Sequence, residues 1–386
     1  MKAGKMRISS KITLFGPSWL VLGLTWYHAA ASDFSGGVAA YKRGDFAAAI
    51  EVFSELSATG DPRAQFALGL IYDNGEGVAR DRASAKNWYT KSAEQGYAKA
   101  QYNLALLHRD GADFDADEDL ARRWFIRAAE SGNADGVARL RKYAESGDVE
   151  AQFRLGRMYL RAQRVPRNPA EGFHWVRLAA EAAHPQACYT LGVLFEDGRG
   201  ANRSDLDAAK WYQAAADHGL AEAFYNLARL YRLGRGVVRD LERARTLYER
   251  AAEAGLEEAQ LALAMLYEAG QGWPTDPARA LHWYRVAAEE GNSDAQVNLG
   301  FLYAQGIGVA KDLVQSYAWY TLAAASGHPL ATPNLAVLEP GLSPAQIEAA
   351  RNRAPGLLSN RKLSIAGGRD GAVETSLARS SHPPTR

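Results

Sequence analysis

Apolar residues in this chain recur four positions apart within short stretches, as at Ala295, Leu299 and Tyr303. Residues at this spacing share one face of an α-helix, so the pattern predicts an amphipathic helix with one buried stripe. A G-x-G triplet ends the stretch, and glycine accepts the left-handed conformation that commonly ends a helix. A second stretch carries Ala, Trp-Tyr and Ala-Ala at spacings of three and four, which predicts a second, antiparallel helix.

The pair of predicted helices is repeated along the chain. Its first alanine advances by 36 residues at each step, apart from one step of 51, through Ala64, Ala100, Ala151, Ala187, Ala223, Ala259 and Ala295. Seven full repeats therefore begin at residues 62, 98, 149, 185, 221, 257 and 293, and positions are counted from these residues. A lone helix pair cannot bury its apolar face, so such repeats stack and share a continuous core.

The letters shared by the copies read A-x-A-Q-x-N-L-G-x-x-Y-x-x-G-x-G-V-x-x-D-x-x-x-A-x-x-W-Y-x-x-A-A-x-x-G. This unit resembles the Sel1-like repeat, a relative of the tetratricopeptide repeat. The resemblance implies an all-α fold, a right-handed α-solenoid of stacked antiparallel helix pairs. We expect the Gly or Ala at position 8 to leave room for a neighbouring backbone. We also expect Trp211, at position 27, to pack between the helices of its own repeat and the next.

The predicted segments are a signal peptide at 1–31, a tetratricopeptide-like hairpin at 32–61, two repeats at 62–133, a half-repeat helix at 134–148, five repeats at 149–328, capping helices at 329–355 and a disordered tail at 356–386. The half repeat is expected to break the superhelical phase between repeats two and three. Ser343 before Pro344 predicts the start of the closing helix, because serine caps a helix and proline fits its first turn.

The first 31 residues predict export. Four basic residues precede an apolar run at 14–26 that is short for a membrane span, and Ala29-Ala30-Ala31 supplies a cleavage site. Cleavage after Ala31 would give a periplasmic or secreted protein with no stable membrane span. The alternative is an uncleaved anchor.

Charge argues against a nucleic-acid partner, because 45 Lys and Arg residues face 44 Asp and Glu residues. Loss of the four basic residues of the signal would change the net charge from +1 to −3. The tail carries five basic and two acidic residues, or +3, which leaves about −6 for residues 32–355. We therefore expect an acidic solenoid with a basic tail.

The motifs that commonly carry chemistry have structural explanations here. Each G-x-G triplet follows a predicted helix, whereas a dinucleotide site needs a strand before it. Asp113, Asp115 and Asp117 imitate the start of a calcium loop, but Glu118 and Trp124 stand where that loop needs Gly and Glu. The histidine pairs His174/His282 and His184/His328 each share one repeat position. No catalytic, metal-binding or cofactor-binding residue is predicted.

The predicted first helix of each repeat carries the candidate partner-binding residues. In tetratricopeptide-like stacks this helix lines the concave groove, and the resemblance to peptide-binding members implies that Asn and Arg there hold a peptide backbone or carboxylate. The other interpretation is that these residues are structural. The candidates are Tyr189 and Tyr225 at position 5, Asn103, Asn226 and Asn298 at position 6, and Arg157 and Arg229 at position 9. We expect replacement of both arginines to weaken binding and to leave folding nearly intact.

The resemblance implies binding rather than catalysis, so the chain is not expected to be an enzyme. It implies a scaffold or regulator of the bacterial cell envelope that holds a protein or peptide partner in its concave face. Members with this layout include regulators that restrain a sensor kinase and adaptors in exopolysaccharide or envelope pathways. The alternative is a secreted hydrolase or β-lactam-binding protein, as among cysteine-rich members, whose repeat disulfides the single Cys188 cannot supply.

Overall fold

The computed structural model of the chain describes residues 33–111, 115–270 and 273–358, and this part is helical throughout with no strand. Successive helices pack against each other as antiparallel pairs, which confirms the predicted all-α solenoid. The chain divides into two compact units between Ser146 and Gly147. The predicted signal peptide and most of the predicted tail lie outside the described residues.

The N-terminal unit contains a short hairpin, the first two repeats and one further helix. Its helices are α1 Phe34–Lys42, α2 Phe46–Ala58, α3 Pro62–Asn74, α4 Arg82–Glu94, α5 Ala98–Asp110, α6 Glu118–Glu130 and α7 Ala134–Glu145. Helix α7 is the single helix of the 15-residue half repeat, and it packs on α6.

The C-terminal unit contains repeats three to seven and the closing helices. Its helices are α8 Val149–Arg161, α9 Pro169–Glu181, α10 Pro185–Asp197, α11 Asp205–Asp217, α12 Ala221–Leu233, α13 Leu241–Glu253, α14 Glu257–Ala269, α15 Pro277–Glu289, α16 Ser293–Gln305, α17 Leu313–Ala325, α18 Ala331–Leu338 and α19 Pro344–Arg353. Ser343 caps α19 through a capping box, and α19 covers α17.

Both helix boundaries within a repeat follow from residues at fixed positions. The first helix ends at position 14 in the left-handed conformation, which glycine supplies in six repeats and Ala162 in the third. The second helix begins after an Asp, Asn or Ser at position 20, such as Asp240, whose side chain accepts a hydrogen bond from a helix N–H. The Asp in the repeat pattern is therefore a helix cap.

The second glycine of the triplet is required by a close approach of backbones. A Cβ atom at Gly200 would lie 2.4 Å from the carbonyl oxygen of Pro169, where the second helix of the preceding repeat begins. A Cβ atom at Gly308 would likewise lie 2.6 Å from the carbonyl oxygen of Pro277. The second glycine thus lets these loops pack against the preceding repeat, which is a structural role.

The core of each repeat is built around the residue at position 28 of the second helix. This side chain is buried in every repeat, as Tyr89, Phe125, Val176, Tyr212, Tyr248, Tyr284 and Tyr320. Where position 8 is Gly, the aromatic ring takes the space of the missing side chain, and a Cβ at Gly192 would lie 2.7 Å from Cδ1 of Tyr212. The prediction that position 8 makes room for a backbone is correct at Gly156, which lies against the backbone of Val176 and Gly172. It is wrong in the repeats where the tyrosine ring of position 28 fills this space.

The neighbouring position 27 is buried in four repeats, as Trp124, Trp175, Leu247 and Trp319, and only partly buried in the other three. Trp211 is only partly buried, although it packs against the main hydrophobic cluster of the C-terminal unit. Trp211 therefore packs against the core without being fully buried, and its neighbour Tyr212 is the fully buried aromatic residue of α11.

Position 4 joins one repeat to the next. The buried Gln296 side chain donates a hydrogen bond to the carbonyl oxygen of Ala288 at 3.1 Å, and Gln260 does the same to Ala252. Cys188 occupies this position in repeat four, where its buried thiol lies 3.5 Å from the Ala180 carbonyl oxygen. Burial raises the pKa of the Cys188 thiol, which keeps it protonated and unreactive.

Candidate partner-binding surface

The predicted partner-binding residues all lie half-buried on the first helices of their repeats. The Asn226 amide donates a hydrogen bond to the Tyr189 hydroxyl at 3.3 Å, and this links α12 to α10 of the preceding repeat. Asn103 donates in the same way to Tyr89 at 3.2 Å. Each of these two asparagines therefore donates one hydrogen bond from its side-chain amide to a tyrosine within the protein.

The aromatic and arginine candidates also make contacts within the chain. Tyr189 packs against Tyr212 with ring centroids 5.9 Å apart, and Tyr225 packs in the same way against Tyr248 at 5.5 Å. The Arg157 guanidinium lies 5.5 Å from the centroid of the Phe153 ring. The structure brings Tyr189, Asn226 and Arg229 together, whereas Asn103 lies in the N-terminal unit and Asn298 and Arg157 lie in other repeats.

Arg229 is engaged by a carboxylate of its own chain. Its Nη2 atom lies 2.6 Å from each carboxylate oxygen of Glu196, at position 12 of the preceding repeat. The Tyr212 hydroxyl donates to the same carboxylate at 2.9 Å, and Arg235 lies 3.4 Å away. Arg235 also pairs with Asp205 at 2.8 Å. A partner carboxylate would therefore have to displace Glu196 from Arg229.

The electrostatics of this cluster keep each group in the form that the contacts need. Burial raises the pKa of Tyr212, and the charge of Glu196 raises it further, so the hydroxyl retains its proton and donates. The hydrogen bond from Arg235 lowers the pKa of Asp205, which stays ionised. The cluster therefore joins repeats four and five by ionic hydrogen bonds.

Position 12 makes contacts on this surface that the sequence did not lead us to predict. It is acidic at Asp73, Glu196 and Glu268, and in each of these repeats position 28 is a tyrosine. The tyrosine hydroxyls lie 3.5, 2.9 and 2.6 Å from these carboxylates, in chain order. In these repeats the acidic residue and the tyrosine are sixteen positions apart, and this spacing could have predicted the hydrogen bond between them.

The surface changes character towards the last repeats. Position 9 is Arg229 in repeat five but Met265 in repeat six and Phe301 in repeat seven, which are 52% and 44% exposed. Ile307, at position 15 of repeat seven, is 36% exposed. Large apolar side chains thus lie in solvent at positions where repeat five carries Arg229 and Arg235.

Two of the residues considered for metal binding, His184 and Asp117, cap helices in the structure. His184 caps α10 and lies 3.1 Å from Glu150, and His328 lies 2.9 Å from Asp294. Asp117 caps α6, while Asp113 lies outside the described residues. Within the described part of the chain, no group of three or more His, Cys, Asp or Glu residues could hold a metal ion. None of the described helices has the length and hydropathy that a membrane crossing requires.

Comparison with known proteins identifies the repeats. The Sel1 repeat model matches residues 62–97, 98–133, 149–184, 185–220, 221–256, 257–292 and 293–328. A Sel1 repeat protein from Oxalobacter formigenes is 30% identical, with a TM-score of 0.50 over 81% of this chain and 88% of its own. A protective antigen of uropathogenic Escherichia coli with an SLR fold is 27% identical, with a TM-score of 0.40 over 90% of this chain and 88% of its own. No curated protein matches the chain. The seven matched segments cover more than half of the sequence, so the chain belongs to the Sel1 repeat family.

Proposed function

We propose that this protein is a non-catalytic scaffold of the bacterial cell envelope that binds a protein partner through the surface of its first helices. Sel1 repeat proteins generally serve as protein-interaction scaffolds. The observation that carries the proposal is the exposure of Met265 and Phe301 at one repeat position of adjacent repeats. Exposed large apolar side chains in register are a common feature of interaction surfaces.

The envelope location rests on the sequence of residues 1–31, with its basic start, apolar run and Ala29-Ala30-Ala31. Restraint of a sensor kinase or support of exopolysaccharide assembly are the specific roles that the family resemblance suggests. Expression of the full chain in a bacterium, followed by N-terminal sequencing, tests the location. We expect the mature chain to begin at Ser32, and an intact Met1 would contradict cleavage.

Site-specific photocrosslinking tests the surface. A photoreactive phenylalanine analogue at position 301 or 265 should capture a partner in the envelope fraction. The matched control is Leu206, which is 54% exposed but lies on a second helix, α11. Capture from position 206 alone would place the interface on the second helices. Turnover of a chromogenic β-lactam by the purified protein would contradict the non-catalytic assignment.

A further inference from the structure

Glu196 shows which groups surround an acidic residue at position 12. Its carboxylate accepts a hydrogen bond from Tyr212 of its own repeat and faces two arginines of the next repeat, Arg229 at position 9 and Arg235 at position 15. Asp73 pairs instead with two arginines of its own repeat. Arg80 and Arg82, at positions 19 and 21, lie 3.8 and 3.6 Å from its carboxylate. Both carboxylates therefore have arginine partners within their own compact unit.

Glu268 is the third acidic residue at position 12, and its environment lacks these cations. The Tyr284 hydroxyl donates to it at 2.6 Å, as Tyr212 does to Glu196. Positions 9 and 15 of the next repeat are Phe301 and Ile307. Positions 19 and 21 of its own repeat are Thr275 and Pro277. Among the residues that the structure describes, no Lys or Arg forms an ion pair with Glu268.

The result is an exposed carboxylate in an apolar setting. Glu268 and Met265 on α14 are exposed, and so are Phe301 on α16 and Ile307 in the turn that follows α16. We define these four residues as the Glu268 site. A partner that covers them would bury apolar surface, which favours association, but would also desolvate the carboxylate, which is costly unless the partner supplies a cation.

We propose that the Glu268 site docks a partner segment that presents an arginine beside an apolar side chain. This inference rests on the proposed binding function and specifies the chemistry of the partner. The partner's guanidinium would take the place that Arg229 and Arg235 take at Glu196, and its planar fork can also lie against the Phe301 ring. The apolar side chain would cover Met265 and Ile307.

Charge at the far ends of α14 and α16 also favours such a partner over an acidic one. The turns that lead into α14 and α16, residues 253–258 and 289–294, carry six carboxylates and no Lys or Arg. A field of this sign attracts basic segments and repels acidic ones. The docking chemistry inferred for the last repeats is therefore the opposite of the carboxylate recognition that Arg157 and Arg229 suggested.

A pair of peptides tests the proposal with the full mature chain. The probe is a fluorescein-labelled peptide with two Arg-Leu pairs separated by Gly and Ser, and the matched control has citrulline, which is neutral and similar in shape, in place of each arginine. Fluorescence anisotropy should show binding of the arginine peptide that weakens with salt, and weaker binding of the citrulline peptide by about fivefold or more. Equal binding of the two peptides would overturn the proposal.

Protein variants locate the binding. Glu268→Gln keeps an acceptor for the Tyr284 hydroxyl, so the variant should fold normally. It should weaken binding of the arginine peptide by about fivefold or more, and Phe301→Ala should weaken this binding to a similar extent. Phe301→Arg should block binding of the arginine peptide. The new arginine would pair with Glu268 as Arg229 pairs with Glu196, and would leave no carboxylate for the peptide. Leu206→Ala, an exposed apolar change on α11, should leave binding unchanged. Unaltered binding by Glu268→Gln with normal folding would overturn the assignment.

Two outcomes separate this inference from the proposed function and from other occupants. If position 301 crosslinks an envelope protein but the arginine peptide does not bind, the scaffold function stands and the partner chemistry is wrong. If position 301 crosslinks to Arg361 or Lys362 of the same chain without added peptide, the occupant is the basic C-terminal segment, and the assignment to a partner is wrong.

Discussion

Arg229 in repeat five and Glu196 in repeat four form a hydrogen-bonded ion pair, with 2.6 Å from Nη2 to each carboxylate oxygen. Their side chains are 35% and 11% exposed, so the pair is only partly shielded from water. The sequence predicted that replacement of Arg229 leaves folding nearly intact, whereas this geometry predicts that the change removes a contact between repeats.

A double-mutant cycle measures this contact. Arg229→Ala, Glu196→Ala and the double variant should show a coupling of about 1 kcal/mol, between the values for an exposed ion pair and for a charged hydrogen bond. The measurement is the denaturant midpoint and slope of each variant. The matched control is Arg203→Ala, whose side chain is 62% exposed and lies 3.5 Å from Asp205, and we expect it to change little. A coupling near zero would leave Arg229 free for a partner, as the sequence suggested.

Acid should weaken the junction of repeats three and four through Glu150. The hydrogen bond from His184 lowers the pKa of Glu150 to about 2 from 4.5, with a further contribution from Arg154 and against the effect of burial. A lowered pKa in the folded state means that the ionised carboxylate stabilises the fold above about pH 4.5. This contribution is lost as the pH falls from about 4.5 towards 2.

Urea unfolding at a series of pH values tests the Glu150 contact. Glu150→Gln should be less stable than the parent near neutral pH, and the difference should shrink as the pH falls below about 4.5. Glu222→Gln is the matched control, because Glu222 holds the same position 2 but repeat five has Leu256 where His184 stands. A difference of constant size across the pH series would show that the charge of Glu150 is not responsible.

Position 35 offers a test of backbone strain. Ala183 has φ of 60° there, whereas Gly219, at the same position of the next repeat, has φ of 85°. Left-handed backbone costs an L-residue about 1–2 kcal/mol, partly offset by the greater freedom of glycine in the unfolded chain. Ala183→Gly should therefore stabilise the protein by about 0.5–1 kcal/mol. Gly219→Ala should destabilise it, although no atom lies within 4 Å of the added Cβ, and two changes of the same sign would contradict the strain argument.

The helices were predictable because their signals are local. The spacing of four in Ala295, Leu299 and Tyr303, the glycine at position 14 and the cap at position 20 each act within one repeat. The identity of the binding surface was less predictable, because contacts such as that of Arg229 with Glu196 join residues of different repeats. Which position 9 faces which position 12 depends on how neighbouring helices are shifted and rotated, and a single sequence without the fold does not contain that information directly.

The aromatic pair at positions 27 and 28 shows the same limit and gives the last prediction. Adjacent helix residues point about 100° apart, so Trp211 and Tyr212 have different surroundings. The structure buries Tyr212 against Gly192 and leaves Trp211 partly exposed. Tyr212→Ala should cost about 3–5 kcal/mol through the cavity it leaves, and Trp211→Ala should cost clearly less although the side chain removed is larger.

Hydrogen exchange in α10 and α11 measures both effects where they arise, because loss of stability in a repeat protein is greatest near the altered repeat. Tyr212→Phe is the control for the cavity, since it keeps the ring and removes only the hydrogen bond to Glu196. It should cost about 1 kcal/mol. A greater loss for Trp211→Ala than for Tyr212→Ala would mean that α11 is rotated by one residue and that the tryptophan column forms the core.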